Sequence, residues 1–391
     1  MEETKTRSLE NIHEVLSLAK LNIEDMKQES QALFLSDNLY TQNYKLLELD
    51  PLLLNEISEG STLHFKGEGN EEVVICSDSA TFRVNRAENS NSMLLTNNLK
   101  FHNDLDDSKS AVSSVVIHGI FHDYLETSIG KPHLQKINDI LKPSLYKGPE
   151  QEYEVNQESL LSSEELCSKI RASRKEISQA LDSMPIIEID NKIRLLDIDY
   201  HYRVLNYMLN LMEENSWEPD EVDFKETIDT LQDLVPKDIL CKLFEKYTEE
   251  SKEIDGTILY KYKDWEVCKF YAEFLLHQTD KFHLEEFLQA WHKSVPEGMV
   301  PDESMLNGIA IIDRKSTPNV IWAFKDSDLP ENIDERFMIL FETKEKWTVP
   351  EITPYIKPLA THKLDVNALL AKHARGSMEN NVKYYSSKHG K

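Results

Sequence analysis

Cations are scarce in this chain of 391 residues: Lys and Arg number 44 against 70 Asp and Glu, a formal charge of -26. Over most of its surface such a chain repels a phosphate backbone, so any nucleic-acid contact has to sit on a local basic face. Cysteine is scarcer still. Cys76, Cys167, Cys241 and Cys268 are scattered with no C-x-x-C pair, which removes a disulfide framework and a structural zinc site. They read as small buried residues in a reducing compartment. No run of about eighteen apolar residues occurs, so no membrane span is expected. The first thirty residues carry Glu2, Glu3, Lys5, Arg7 and Glu10 and lack an apolar stretch of signal-peptide length.

Signatures of catalysis are missing as well. The nearest approach to a phosphate-binding loop G-x-x-x-x-G-K-[ST] is Gly130-Lys131, which has Pro132 after the Lys and Leu125 where the first Gly belongs. There is no G-x-S-x-G, H-E-x-x-H or EF-hand loop. His118, His122 and His133 fall close together, but three His on strand and loop positions read as surface or core-edge residues before they read as metal ligands. Acidic pairs such as Glu164-Glu165 and Glu285-Glu286 sit where helices begin, and compensation of the helix dipole accounts for them. No enzyme, metal or cofactor is expected.

What is present is pattern. From about Asn43 to Leu95 the periodicity is that of short strands: YKLLELD, a helical turn PLLLNEISEG, then TLHFKG, VVICSD, TFRVNR and SMLLTN, with SSVVIHGIF added from Ser113. Strands this short and close predict a small barrel or sandwich. The segment Asn89 to Asp107 reads as an exposed loop, and a helix from His133 closes the region. YKGPEQEYEVNQES has almost no apolar periodicity and reads as a linker.

Beyond it the pattern turns helical. Ser162 with Glu165, Ser173 with Glu176 and Thr348 with Glu351 fit the S/T-x-x-E capping box, in which the hydroxyl and the carboxylate each satisfy an orphan backbone N–H. The first two precede IIEID, a turn at Asn191-Lys192, and IRLLD. Amphipathic helices follow at Asp199 to Glu213, Phe224 to Leu234 and Pro236 to Tyr247, then a strand TILYKY. The pattern repeats with DWEVCKFYAEFLLHQ, HLEEFLQAWHKSV and the hairpin GIAIID/NVIWAF, and again from Asn332 to the strand VKYYS. Pro354 predicts a short or kinked helix there. A helix-and-hairpin unit recurs at about 60 residues, the order of a winged helix-turn-helix. The expected fold class is α+β and multidomain: a barrel-like domain over residues 1–150, a linker at 151–160, and tandem winged helices over 161–262, 263–326 and 327–391.

One region reverses the charge balance. From Glu351 to the end, Lys357, Lys363, Lys372, Arg375, Lys383, Lys388 and Lys391 face only Glu351, Asp365 and Glu379, a net +4, while the remaining chain carries -30. If Val366, Leu369, Leu370 and His373 or Ala374 face the core, Ala368, Ala371, Lys372 and Arg375 face out. Small residues beside two cations suit approach to a phosphate backbone, and cations near a helix C-terminus suit the dipole equally well. Lys372, Arg375 and Lys383 are the expected phosphate contacts, Lys388 a weaker one, with Arg314 and Lys315 as a basic wing. No paired base-edge readers are evident, so DNA binding would be sequence-independent.

Within Ser294 to Trp347 the blocks VPEGM, DRKSTP, DLPE, ERF, LF and EKW, followed by ALLAKH, SMENNVK and YYS and preceded by LLELDP, EGSTLHFKG, VICSDSATFRV and SMLL, resemble the Dcc family of sister chromatid cohesion proteins. These are accessory subunits of the Ctf-type replication factor C clamp loader. The resemblance implies a nuclear, non-catalytic adaptor without cofactor. Its implied partners are the small Ctf-type subunit and the tail of the large one, in a composite β-barrel, together with the catalytic subunit of DNA polymerase epsilon. Single- and double-stranded DNA would be bound by C-terminal winged helices, and the sliding clamp reached indirectly. A protein-only winged-helix scaffold is the rival reading. A free DNA-binding regulator would carry a more basic recognition helix.

Overall fold

The computed structural model describes residues 8–22, 24, 29–39, 43–69, 71–101, 104, 111–254, 256–360 and 364–388. The chain divides into two compact units, one of Met1–Ser77 with Phe82–Gly130, the other of Asp78–Thr81 with Lys131–Lys391. The helix expected to close the N-terminal region belongs to the second.

The first unit carries α1 (Leu9–Leu18), β1 (Glu29–Leu35), β2 (Leu47–Glu48), α2 (Pro51–Ser58), β3 (His64–Lys66), β4 (Val74–Cys76), β5 (Thr81–Thr96) and β6 (Ala111–Ile129). Asp50 caps α2 by accepting the Leu52 N–H at 2.9 Å, and Pro51 stands at a first-turn position where no N–H is needed. The sheet runs β1-β6-β5-β4-β3, with β2 also on β6. It is open among the described residues, and this corrects the barrel expectation. The two long strands hold most of the pairing. β1 and β2 lie parallel to different ends of β6, while β5 runs antiparallel along its other side.

TFRVNR and SMLLTN, read as separate strands, are one. Between Glu88 opposite Asp123 and Met93 opposite Phe121 four residues bulge out against His122, after which pairing resumes. Of the expected loop Asn89 to Asp107, Asn89 to Thr96 therefore belong to β5. Residues 102–103 and 105–107 lie outside the described residues. The core gathers Leu53, Ile75, Phe82, Val115 and Phe121.

The second unit opens with α3 (Lys136–Leu141), α4 (Ser163–Lys169), α5 (Arg174–Ser183) and the hairpin β7 (Ile186–Ile189) and β8 (Lys192–Leu195). All three predicted capping boxes form: the Ser162 hydroxyl accepts from Glu165 N–H at 3.3 Å while the Ser162 N–H donates to the Glu165 carboxylate at 2.7 Å, and Ser173 with Glu176 and Thr348 with Glu351 repeat it. The hairpin turn falls one residue earlier than expected, at Asp190-Asn191. Both have positive φ, 51° and 60°, the geometry that a two-residue turn between twisted strands needs and that Asp and Asn tolerate.

Three further repeats follow. The first is α6 (Ile198–Glu214), β9 (Val222–Asp223), α7 (Phe224–Leu231), α8 (Lys237–Tyr247), β10 (Thr248–Ile254) and β11 (Thr257–Tyr262). Next come α9 (Asp264–His277), β12 (Phe282–His283), α10 (Leu284–Ser294), a 3-10 turn at Glu303–Leu306, β13 (Ala310–Asp313) and β14 (Val320–Ala323). The last has α11 (Ile333–Thr343), β15 (Trp347–Thr348), α12 (Val349–Ile356), α13 (Val366–His373), β16 (Ala374–Glu379) and β17 (Val382–Ser387). In each, the short strand pairs with the second hairpin strand, giving orders β10-β11-β9, β12-β14-β13 and β15-β17-β16. The short strands were invisible to periodicity because two residues carry no alternation. An isolated bridge from Leu161 to Ile193 on β8 stands in the same place in the opening set.

The segment leading into the stretch read as a linker is anchored at a few points, although no residue of 151–160 is buried. Tyr146 is buried, its N–H donates to Leu195 O at 2.8 Å and its O accepts from Asp197 N–H at 2.9 Å. Arg194, 1% exposed, donates to Ser144 O and Leu145 O and makes a two-point contact with Glu152, both arms at 3.0 Å. Arg203 pairs with Glu150. Two Arg side chains thus hold Glu150 and Glu152 at the start of the segment.

Adjacent repeats share cores. Ile311 of β13 is buried with Phe337, Leu340, Trp347, Ile352, Tyr355 and Leu369 of the last repeat. Of the two aromatic residues flanking that seam, Phe337 is 3% exposed, while Trp322 is only half-buried against the same cluster with the Lys281 ammonium 5.1 Å from its ring.

Candidate assembly surface and nucleic-acid interface

Strand side chains alternate between faces, so a strand with one covered face hides every second residue. β1 does not. Leu33, Phe34 and Leu35 are successive and 53%, 54% and 62% exposed, which leaves both faces of the sheet bare at that edge. Val112 and Val116 on the neighbouring β6 are exposed as well. Helix α1 buries none of its residues, although Leu9, Ile12, Val15 and Leu18 recur at the spacing of one face. A β1 edge left open among the described residues, with apolar side chains on both sides, is a template for added strands.

The candidate cations lie in the last repeat. Asp365 caps α13 through the Ala368 N–H at 2.7 Å, and the helix buries Leu369 and Leu370. Ala371, Lys372, Arg375, Lys383 and Lys388 are exposed, while Ala368 is half-buried and Ala374 is in the core. The register divides the set. Gly376 opposes buried Tyr385 and Met378 opposes Lys383, so Lys383 shares the face of Tyr385, with its ammonium 5.1 Å from that ring. Arg375 opposes Ser386 and points to the other face. Lys388 donates to Ala371 O at 2.9 Å and Lys372 O at 2.6 Å, closing the C-terminal end of α13. Lys372 and Arg375 therefore stand together at the exposed end of α13, Lys388 is occupied beside them, and Lys383 is apart. Lys363 and Lys391 lie outside the described residues.

The expected wing cations are both engaged. Arg314 pairs with Glu303 at 2.5 Å and Lys315 with Glu345 at 2.8 Å. Hydrogen bonding to Ser316, with the Lys315 N–H as a second donor, holds the Asp313 carboxyl below its usual range in the same loop. Of the three neighbouring His, His118 and His122 are on β6 and His133 pairs with Glu331. No group of three or more His, Cys, Asp and Glu is arranged for a metal among the described residues.

Sequence reasoning missed α1 and β1, which lie ahead of the first block it read. The run Gln31 to Leu35 was the available signal.

Comparison with known proteins identifies the family. The model of the family described as sister chromatid cohesion protein Dcc1 matches residues 44–356. The chain belongs to that family. It is 33% identical over 386 residues to the sister chromatid cohesion protein DCC1 of Xenopus tropicalis, covering 98% of this chain and 99% of the relative. The protein of the same name from Danio rerio is 34% identical over 385 residues and that from Homo sapiens 31% over 388, each covering 98% of both chains. A relative from Saccharomyces cerevisiae is 24% identical over 383 residues. The family model begins past β1 and ends before α13. Both candidate surfaces thus extend beyond it, while the vertebrate relatives align across nearly the whole chain.

Proposed function

We propose that this family member is a non-catalytic, nuclear adaptor subunit of an alternative, Ctf-type replication factor C clamp loader. Through it the loader would be linked to the catalytic subunit of DNA polymerase epsilon and to DNA, for handling of the sliding clamp during sister chromatid cohesion. The observation that carries the reading is the bare β1 edge: Leu33, Phe34 and Leu35 expose both faces of an unclosed sheet, and strands from the small Ctf-type subunit and the tail of the large one would complete it. The repeated helix, strand, helix, helix, hairpin order supports winged helices in the second unit. Residues 1–130, co-expressed with those two partners, are expected to hold both. Recovery of both by residues 131–391 alone would overturn the assignment.

Sequence-independent DNA contact, single- or double-stranded, is assigned to Lys372 and Arg375, with Lys383 on a separate face. Replacing Lys372, Arg375 and Lys383 by Ala is expected to lower the dependence of log affinity on log salt by about two phosphate equivalents, about 0.9 each on duplex, rather than three. A protein-only scaffold is the second reading. It is favoured by Arg314 and Lys315 lying on carboxylates and Lys388 on helix carbonyls. An unchanged affinity and slope in the triple variant would select it.

A further inference from the structure

The chain enters the second unit at Lys131, and the residues on which it enters reach a distant part of that unit. Neighbouring repeats are expected to touch because they follow one another in the chain. The opening residues have no such reason to meet the last repeat, yet they do. The His133 ring pairs through Nδ1 with the Glu331 carboxylate, 198 residues further on, and the Gln135 side chain donates to Leu329 O at 3.1 Å, 194 residues away. Both contacts land on the connection between β14 and α11.

That connection is gripped from two sides. From α11, Arg336 donates to the carbonyls of Asp326, Leu329 and Pro330. From the opening segment come His133 and Gln135, so that Leu329 O accepts from one residue of each side. The backbone behind the His133 ring is held in turn, its N–H donating to Arg171 O at 3.1 Å in the turn between α4 and α5. The electrostatics converge on one residue. Glu331 is half-buried, and burial alone would raise its carboxyl, but the His133 hydrogen bond and charge, followed by Lys131 and Arg171, hold it below the usual range. Burial and the Arg336 charge push the Lys131 ammonium down, and Glu331 works against both. Arg336, pushed down by burial, is supported by Asp326 and by Glu331. A single carboxylate therefore faces Lys131, His133 and Arg171 from the opening set and Arg336 from α11. Without its charge these cations would repel one another across the seam that it joins.

The cores on either side do not run through this seam. Ile137, Leu141, Leu166 and Ile177 pack together in the opening set, and Leu329, Phe337, Leu340 and Trp347 pack in the last repeat, as separate clusters. An apolar seam would cement the two; a polar one pinned by one carboxylate can part while both cores stay whole.

We propose that Glu331 is the pin of a charge-locked latch, which ties the entry segment Lys131 to Gln135 to the last repeat and releases it when the pin loses its charge. Closed, the latch fixes the five residues that follow Gly130. Open, it leaves them as free chain ahead of α3, with the connection before α11 held by Arg336 alone. The direction with pH follows from the lowered carboxyl: the latch is closed at neutral pH, and its contribution is lost as pH falls through the folded value of Glu331. The inference is independent of the clamp-loader reading.

Hydrogen exchange at the backbone amides of the full chain tests it. The His133 amide, donating to Arg171 O, reports the entry segment, and the Asp328 and Leu329 amides, donating to Lys325 O and Asp326 O, report the connection. Glu331→Gln is expected to speed exchange at all three by about tenfold or more, the loss of a hydrogen bond between charged groups in a half-buried place, while amides of α6 and α12 keep their wild-type rates. His133→Ala should do the same, and the double variant no more than either change alone, because both remove one shared contact. Gln135→Ala, which leaves the charges in place, should open the same amides by a smaller factor. Glu303→Gln removes the surface partner of Arg314 and should leave them unchanged. Wild-type rates in Glu331→Gln, or effects of Glu331→Gln and His133→Ala that simply add, overturn the proposal. Faster exchange throughout α12 overturns it as well, since the pair would then belong to the fold of the last repeat. So does acceleration confined to Asp328 and Leu329, which would mean that Arg171 alone holds the entry segment.

Discussion

Arg336 offers a sharp test of how the last repeat is held to the one before it. The side chain is fully buried, yet among the described residues no carboxylate is bonded to it. It makes four hydrogen bonds, all to backbone oxygens: Nε on Pro330 O at 2.7 Å, Nη1 on Tyr355 O at 2.8 Å, and Nη2 on Leu329 O at 2.8 Å and Asp326 O at 3.3 Å. Three of the four carbonyls belong to the connection between β14 and α11, so a guanidinium fork on α11 fixes a loop whose own regular bonding is a 3-10 turn at Asp326–Asp328. Burial holds its pKa below the ordinary arginine value.

Arg336→Met keeps much of the volume and removes the donors. Each buried carbonyl left without a partner costs roughly 1–3 kcal/mol, and relief from burying a charge returns part of the sum. A net loss of about 3 kcal/mol is expected. For a cooperative unit of this size that lowers Tm by about 6–12 °C at 2–4 °C per kcal/mol, measurable by calorimetry or circular dichroism. Arg336→Lys discriminates further. Its single ammonium cannot span oxygens lying on several sides of a planar fork, so it should recover less than half of the loss. A Lys variant as stable as the wild type would show that the charge, and not the fork, holds the loop. A Met variant as stable as the wild type would refute the argument altogether.

Other perturbations follow the same logic. Phe337→Ala should cost about 3–5 kcal/mol because the ring is buried, and Trp322→Ala clearly less, since that ring is half-exposed; equal shifts in melting temperature would contradict the packing. Ser173→Ala removes a buried capping hydroxyl and should cost about 1–2 kcal/mol by urea unfolding, whereas no change would mean that Glu176 and Thr81 suffice. His201 is 2% exposed against Tyr247 and Phe270, and burial, with a lesser push from Lys246, drives its pKa well below the ordinary value. The unfolded chain therefore takes up a proton near pH 6.5 that the folded chain refuses. Stability should fall by about 1 kcal/mol between pH 6.5 and 5.5 from this group, and a His201→Gln variant should lose that component of the slope. A wild-type pH slope in the variant would show that His201 does not set it.

Local chemistry was enough to determine much of the second unit. A capping box is written in residues three apart and an amphipathic helix in residues three and four apart, so Ser162, Ser173, Thr348 and the helices from Ile198 onward could be read without a fold. The same holds for the hairpins, whose strands lie next to one another in the chain. Charge could be read only as a count. That count singled out the C-terminal region, but pleat alternation decided that Arg375 and Lys383 face opposite ways, and long-range pairing decided that Arg314, Lys315 and Lys388 are occupied. Tertiary structure also anchored the start of an apparent linker, because Glu150 and Glu152 meet arginines some fifty and forty residues further on. It left the N-terminal sheet open, since strand number does not say whether edges meet. And it brought the backbone of His133 to that of Arg171. Contacts of that kind depend on which surfaces the chain folds together, and no spacing in the sequence encodes them.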